Sequence, residues 1–473
     1  MSRGTSGSSA ASRAESYSPQ RRTALLLSGT GAAGIYHAGV LRALHEAGVK
    51  IDVVAARGIG IVGALFMAVD GAPRLWDVKG FWRVPAVTRL YPWSPVLRVL
   101  AWAALAAVGL VVVPIAAAAL GLVVFPIDFV LSLTGLVSAR ALIDWYLGVL
   151  QRAFAPGALP TWLPRLAVLV LGGAAAAALL GRWTGAGQRT LRGPFWWRLV
   201  PAPLDTEPAA AHCWSAIWDL LRGAAPLKQP PPDELGRRYV ERLTDNLGQP
   251  GYRELVMAVH DVDAGRDLVF AVVGEARRRE LVRRPTTKEA EVRRAEVVDV
   301  SGVDRGQFAD AVEACLAIPG VTDARLTEFA PEGFWRGERH RLCDRPAAVS
   351  RLMDELALLE VEQVILVTAT AELPGPHALA VPRLDGRGRL GEYLQSSEAA
   401  AVRDAAKAGM RAGLKVFTIR PAHNPLGPFD FAGAFDNRSD RRQPLVELMN
   451  RGYEDGYNQF VEPVVGASGE RVG

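Results

Sequence analysis

The sequence predicts an α/β protein with a mostly parallel sheet, interrupted by an apolar helical insertion. Three stretches carry this expectation. Residues 24–34, ALLLSGTGAAG, read as an apolar strand running into a glycine-rich turn and the helix 35–48. Residues 51–66, IDVVAARGIGIVGALF, repeat the strand–turn–helix pattern. Residues 362–369, EQVILVTA, form a near-continuous apolar run, as a parallel strand covered on both faces requires.

The remaining elements follow in order. Residues 1–20 are rich in Ser, Ala, Gly and Arg without an apolar core, which suits a disordered tail rather than a signal peptide. Residues 21–96 hold the first α/β block. Residues 97–199 read as a membrane insertion: the run 99–127 is almost uncharged and exceeds the ~20 apolar residues a helix needs to cross a bilayer, with Pro114 as a kink. A shorter run, 166–181, lies between Trp162 and Trp183 as interfacial anchors. Residues 129–158 between the runs suit the interface. The Pro-rich stretch 200–250 reads as a linker carrying one helix at 233–245, and 251–465 as the second α/β block. There, strand 253–260, a DVDAGRD turn and strand 268–273 form a hairpin. Helices 307–317, 346–359 and 396–412 follow, with strand 414–419 and a last helix at 442–460.

Both α/β blocks must build one sheet, so the insertion is expected to cross the membrane an even number of times. Arg83, Arg89 and Arg98 before it, and Arg182, Arg189, Arg192 and Arg198 after it, favour cytoplasmic ends. The expected location is a multi-pass membrane protein, of a bacterial inner membrane, with the α/β domain cytoplasmic.

Composition narrows the function classes. Half the residues are hydrophobic and the formal net charge is +5, a mild excess that fits a membrane surface. No basic stripe with interleaved aromatics appears, so no nucleic-acid partner is expected. Arginines at 276–294 are mixed with acids, as on a solvated face. The three cysteines, Cys213, Cys315 and Cys343, show no CxxC spacing; neither a disulfide framework nor a metal site is read, and no cofactor.

A strand that ends in glycines and enters a helix aims backbone N–H groups at one spot, which suits phosphates or oxyanions. Gly29, Gly31 and Gly34 have dinucleotide spacing, but the acidic residue expected after the next strand is absent; Ala55-Ala56-Arg57 stands there. The second turn has the form of a nucleophile elbow, G-x-S-x-G, spelled here Ala56-Arg57-Gly58-Ile59-Gly60. The serine position holds glycine.

Taken together, SGTGAAGIYHAGVLRALHEAG, IDVVAARGIGIVGAL, YRELVMAVHDVDAGRDLVF, AVEACLAIPGV and FWRGERHRLCDRP resemble a patatin-like phospholipase domain over residues 23–80 and 250–370, and more loosely to about 465. The resemblance implies a three-layer fold and a serine–aspartate dyad cutting lipid esters, the glycine loop holding the oxyanion. It maps the oxyanion loop onto Gly29, Thr30, Gly31, Ala32, Ala33 and Gly34, with Thr30 in place of a usual glycine. It maps the nucleophile onto Gly58 and the aspartate of the D-G pair onto Arg336, beside Gly337, so both dyad members are missing.

Ser28, Asp70, Asp385 and Cys315 are the candidate substitutes, and each has a competing local reading: Ser28 faces into the sheet, the two aspartates lie after the wrong elements, and Cys315 packs. His37 and His260 read as local structural residues. The expectation is therefore a membrane-anchored, catalytically degenerate member of the family that binds a membrane lipid, a fatty acyl ligand or a protein partner. Arg57 and Arg336 would make its vestigial centre attractive to an anionic ligand. The rival is an active lipid acyl hydrolase with non-standard residues; a nucleotide-binding protein is a third reading.

Overall fold

The computed structural model describes residues 17–134, 141–153, 155, 159–184, 202–281, 288–372 and 385–465. They fall into two compact units, one built from the chain up to Pro92 together with the chain from Asp205, the other being Trp93–Leu204.

The first unit is built on a nine-stranded sheet. Strands β1 (Thr23–Gly29), β2 (Val53–Gly58), β3 (Glu254–Asp261), β4 (Arg266–Val272), β5 (Val297–Asp299), β8 (Gln363–Thr368) and β9 (Lys415–Ile419) lie in the order β5-β4-β3-β2-β1-β8-β9. Strand β7 (Arg339–Cys343) pairs with β3 and with β6 (Arg325–Glu328). From β3 through β2, β1 and β8 to β9 all pairings are parallel; β3/β4, β3/β7 and β6/β7 are antiparallel. Strand β1 is buried along its whole length, as the apolar run ALLL implies. Helices α1 (Ala33–Glu46) and α2 (Gly60–Ala68) follow β1 and β2 and pack on the sheet.

The second unit consists of helices α3 (Pro95–Ala119), α4 (Gly121–Leu133), α5 (Ala141–Ala153) and α6 (Leu159–Thr184). Helix α3 packs along α6, and α4 along α5. The stretch Ile115–Leu133 is long and apolar enough to cross a membrane, with a mean hydropathy of 2.2.

The chain re-enters the first unit with α7 (Glu207–Arg222) and α8 (Pro232–Asn246). Within the stretch 200–250 expected to be a linker, Glu207–Arg222 and Pro232–Asn246 are helical. Cys213, Trp214, Ile217 and Trp218 recur at helical spacing and bury one face of α7; the flanking prolines hide this stripe in the sequence. Helix α9 (Phe308–Leu316) precedes β6 and β7. Helices α10 (Ala348–Leu358) and α11 (Gly386–Arg411) cover one face of the sheet. Their Val349, Leu352, Leu356 and Ala405 join Leu26, Ala55 and Leu366 in one core. Helix α12 (Leu445–Gly456) lies against α1, where the Tyr36 hydroxyl donates to Asp455 at 2.9 Å.

Candidate functional site

Strands β1 and β2 run in register, so their carboxyl ends, Gly29 and Gly58, lie side by side. This is the end of a parallel sheet at which helix N-termini and loops form sites. After Gly29 the chain turns through Gly31, whose φ of +57° favours glycine. A Cβ there would also stand 2.0 Å from the Pro428 carbonyl oxygen. That carbonyl accepts the Ala32 amide at 2.8 Å, so the segment around Pro428 is seated on the glycine loop. The Ile59 amide, one residue past the elbow position, donates to the Gly29 carbonyl at 2.9 Å. Two amides of these turns are thus engaged within the protein.

The elbow itself is preserved in backbone form. β2 ends at Gly58 with φ +56°, and α2 begins two residues later. A Cβ built on Gly58 would lie 2.2 Å from the Gly29 carbonyl oxygen and 2.9 Å from Asp344 Oδ2. Position 58 therefore has no room for a side chain, and the group it faces is a carboxylate. Asp344 directly follows β7, and its amide is fixed by the Ala317 carbonyl at 2.9 Å.

Arg57 fills the space around this carboxylate. Its side chain and that of Asp344 are 0% and 1% exposed, with Arg57 Nη2 3.0 Å from Asp344 Oδ2. The same nitrogen donates to Thr30 Oγ1 at 3.0 Å and lies 4.0 Å from Glu398 Oε2. Glu398, on α11, in turn accepts from Thr368 Oγ1 at 3.4 Å and from Ser28 Oγ at 3.5 Å. One cation thus serves two buried carboxyl groups. Burial pushes Asp344 up to about 6; Arg57 opposes this and the Glu398 charge adds to it. Burial raises Glu398 as well, again opposed by Arg57. Beside the cluster, burial lowers His37 to about 4, so the ring is neutral at pH 7 and its Nε2–H donates to the Ser28 carbonyl at 3.1 Å. The cavity left between the glycine loop, Glu398, Asn424 and Pro428 is about 10 Å³, too small for an acyl chain. A hollow of about 730 Å³, lined by Arg22, Lys50, Asp52 and Glu254, lies at the opposite, amino-terminal ends of β1–β3 and takes no part in this cluster.

A family model for patatin-like phospholipases matches residues 25–118, which include the glycine loop and the elbow. Over this stretch the chain resembles the patatin-like phospholipase family. It is 47% identical over 63 residues to the lysophospholipase nte1 of Aspergillus fumigatus and, with the same values, to that of Neosartorya fischeri. These matches cover 13% of this chain and only 4% of the length of those curated relatives. Among solved structures, VipD from Legionella pneumophila aligns over 94% of this chain and 67% of its own, at 12% identity and a TM-score of 0.27. The type III effector protein ExoU aligns over 85% of this chain and 54% of its own, at 16% identity and a TM-score of 0.23.

The sequence-predicted residues separate into two groups. Gly29, Thr30, Gly31, Arg57 and Gly58 come together, with Gly34 starting the first turn of α1. Arg336 does not join them: it sits with φ +46° in an exposed turn between β6 and β7. The assignment of the aspartate position to Arg336 is therefore corrected to the neighbourhood of Asp344. Arg336-Gly337 imitates a D-G pair before β7, whereas the residue that reaches Gly58 stands after that strand. Arg57 is fully buried and donates through Nη2 to Asp344 and Thr30, while its Nε and Nη1 are buried without a hydrogen-bond partner. Of the substitutes, Ser28 is buried beside Glu398, Cys315 is buried with its thiol pushed up, and Asp385 caps α11 through the Gly388 amide at 2.8 Å. Asp70 occupies a turn after α2 with φ +55°. His260 pairs with Asp267 at 2.8 Å. Asp344 and Glu398 escaped the sequence reading. The signal for Asp344 was its place at the end of the alternating strand RHRLC, beside the sheet end where sites form.

Proposed function

We propose that this chain is a membrane-anchored patatin-like protein that does not hydrolyse esters, its former centre having become a buried ion cluster, and that it acts by binding lipid. The observation that carries this reading is position 58. In the dyad mechanism a serine there attacks the acyl carbonyl while an aspartate takes its proton. Here glycine offers no nucleophile, the backbone leaves no room for a Cβ, and the facing carboxylate of Asp344 is held by Arg57. The Ala32 amide is spent on Pro428, so electrostatic stabilisation of an oxyanion is lost as well.

Anchoring is assigned to Trp93–Leu204. Its outward side chains include Trp102, Leu105, Leu122 and Phe129, each more than half exposed. A soluble surface rarely presents so large a contiguous apolar area. Strands on both sides of this unit in the sequence share one sheet, which supports an even number of crossings with the α/β unit on one side, and flanking arginines favour the cytoplasmic side. Lipid is thereby met at the helical unit rather than at Arg57.

The test is hydrolysis of a short-chain nitrophenyl ester by detergent-purified protein, together with labelling by a serine-directed fluorophosphonate. No turnover above background and no label are expected. Turnover that disappears in Ser28→Ala would establish instead the active-hydrolase reading.

A further inference from the structure

We propose that the hollow of about 730 Å³ at the amino-terminal ends of β1–β3 binds the phosphate of an organic phosphate monoester. It lies at the opposite end of these strands from the closed cluster around Arg57, and the proposal depends neither on the loss of hydrolysis nor on anchoring.

Strand register builds the hollow. Val53 pairs with Ala24 on one side and with Glu254 on the other, so Arg22, Asp52 and Glu254 stand together where the three strands begin. The Glu254 side chain is 9% exposed. It accepts from Arg22 Nη2 at 2.5 Å, from Arg277 Nη1 at 3.3 Å and from the Gly274 amide at 2.9 Å. Two guanidinium groups thus share one buried carboxylate, and one positive charge is left over. The other carboxylates do not absorb it. Asp52 accepts the Thr23 amide at 2.9 Å and lies 3.3 Å from Lys50 Nζ. Asp70 lies 3.9 Å from Arg253 Nη1, which also donates to the Met67 carbonyl. Four Lys and Arg side chains therefore line the hollow against three carboxylates.

The surplus charge is reachable. Arg277, on the helix Glu275–Leu281, is 32% exposed against 18% for Arg22, and Lys50 is 49% exposed. A guanidinium fork matches the oxygens of a phosphate. A phosphate monoester carries about −1.5 to −2 charge at pH 7 and three terminal oxygens, so it can engage several donors at once. A carboxylate brings one charge and two oxygens. The volume asks for more than a bare ion, since small-molecule sites measure ~300–1,000 Å³. Val49, Ile51, Met67 and Leu247 also line the hollow and offer apolar contact to an organic body.

The experiment is calorimetric titration of the full chain in detergent with phenyl phosphate, benzoate and phenol at constant ionic strength. Saturable binding is expected for phenyl phosphate, weaker binding for benzoate and none for phenol. Arg277→Gln leaves Arg22 and the Gly274 amide on Glu254, so the fold should survive while phenyl phosphate affinity falls about tenfold or more. Arg277→Lys keeps the charge without the fork and should recover part of that loss. Lys50→Gln, at a half-exposed position, should weaken binding in the same direction. Should Arg277→Gln lower the melting temperature of the ligand-free protein, Lys50→Gln carries the test. Absence of saturable phenyl phosphate binding, equal binding of phenol, benzoate bound as tightly as phenyl phosphate, or an affinity unchanged in Lys50→Gln and in folded Arg277→Gln each overturns the proposal. Competition then distinguishes the source of the phosphate. Displacement of phenyl phosphate by glycerol phosphate marks a soluble molecule, and displacement by dihexanoyl phosphatidate alone marks a lipid headgroup. Displacement by neither overturns the assignment.

Discussion

In the α/β unit, Arg57, Asp344 and Glu398 are at most 3% exposed; in Trp93–Leu204, Trp102 and Leu122 are 70% and 80% exposed. One region hides charge and the other displays hydrocarbon. Each arrangement is costly in the wrong surroundings. Buried charge persists only when paired, and displayed hydrocarbon only when something apolar covers it. The contrast fits a closed protein interior for the first region and, on the function proposed above, a lipid phase for the second. It also separates the two halves of the functional reading. Loss of hydrolysis rests on the closed cluster, and lipid contact rests on the open helices.

The comparison is broken most severely by removing the one cation of the cluster. Arg57→Ala leaves Asp344 and Glu398 buried together and should lower stability by ~3–5 kcal/mol in urea unfolding of the solubilised chain. Arg336→Ala, at an exposed turn, should stay within ~0.5 kcal/mol. Equal effects would mean that the cluster is not a structural centre.

The helical region is tested at its middle. Val108, 58% exposed on α3, should be neutral as arginine if α3 were in water. In a bilayer Val108→Arg costs ~2.5–3.5 kcal/mol of insertion and should reduce the membrane-bound fraction sharply. Unchanged fractionation would remove the lipid side of the contrast.

A smaller effect is expected from restoring the missing hydroxyl. Gly58→Ser places a Cβ against the Gly29 carbonyl, so strain should cost ~1–3 kcal/mol, read as a lowered Tm. The serine should remain unlabelled by fluorophosphonate, because Arg57 holds the carboxylate that would activate it. Labelling of this variant would show the cluster to be more open than its geometry implies.

The mildest test is pH. Asp344 and Glu398 both bind a proton more tightly folded than unfolded. As pH falls from 7 through about 6 toward the unfolded carboxyl range near ~4, the folded state takes up protons first, so these two groups add stability. In Asp344→Asn the gain in Tm between pH 7 and pH 5 should be smaller than in the wild type. An unchanged gain would assign the effect to other groups.

Much of this architecture was legible in the chain. The turns at Gly31 and Gly58 could be read because a strand, its turn and the next helix are consecutive, and local spacing fixes them. The helical insertion could be read because hydropathy needs no partner to be recognised. Asp344 could not be placed from its surroundings. It reaches Gly58 only because β7 pairs with β3 and β3 with β2, and the D-G look-alike at Arg336 lies on the wrong side of β7. Thr30 appeared as a departure from the family's glycine; in the fold its hydroxyl accepts from Arg57.

The sequence by itself determined that position 58 carries no nucleophile, that the glycine loop precedes a helix, and that an uncharged stretch divides the sheet-forming segments. Those are properties of residue identity and of neighbours a few positions apart. Only the tertiary structure decided that Asp344 faces Gly58, that Arg57 and Glu398 complete a sealed cluster, and that Pro428 occupies the glycine-loop amide. Each joins residues hundreds of positions apart through strand register and helix docking. Burial then changes their chemistry, since a carboxylate that would act as a base in an open cleft becomes half of an ion pair when water is excluded.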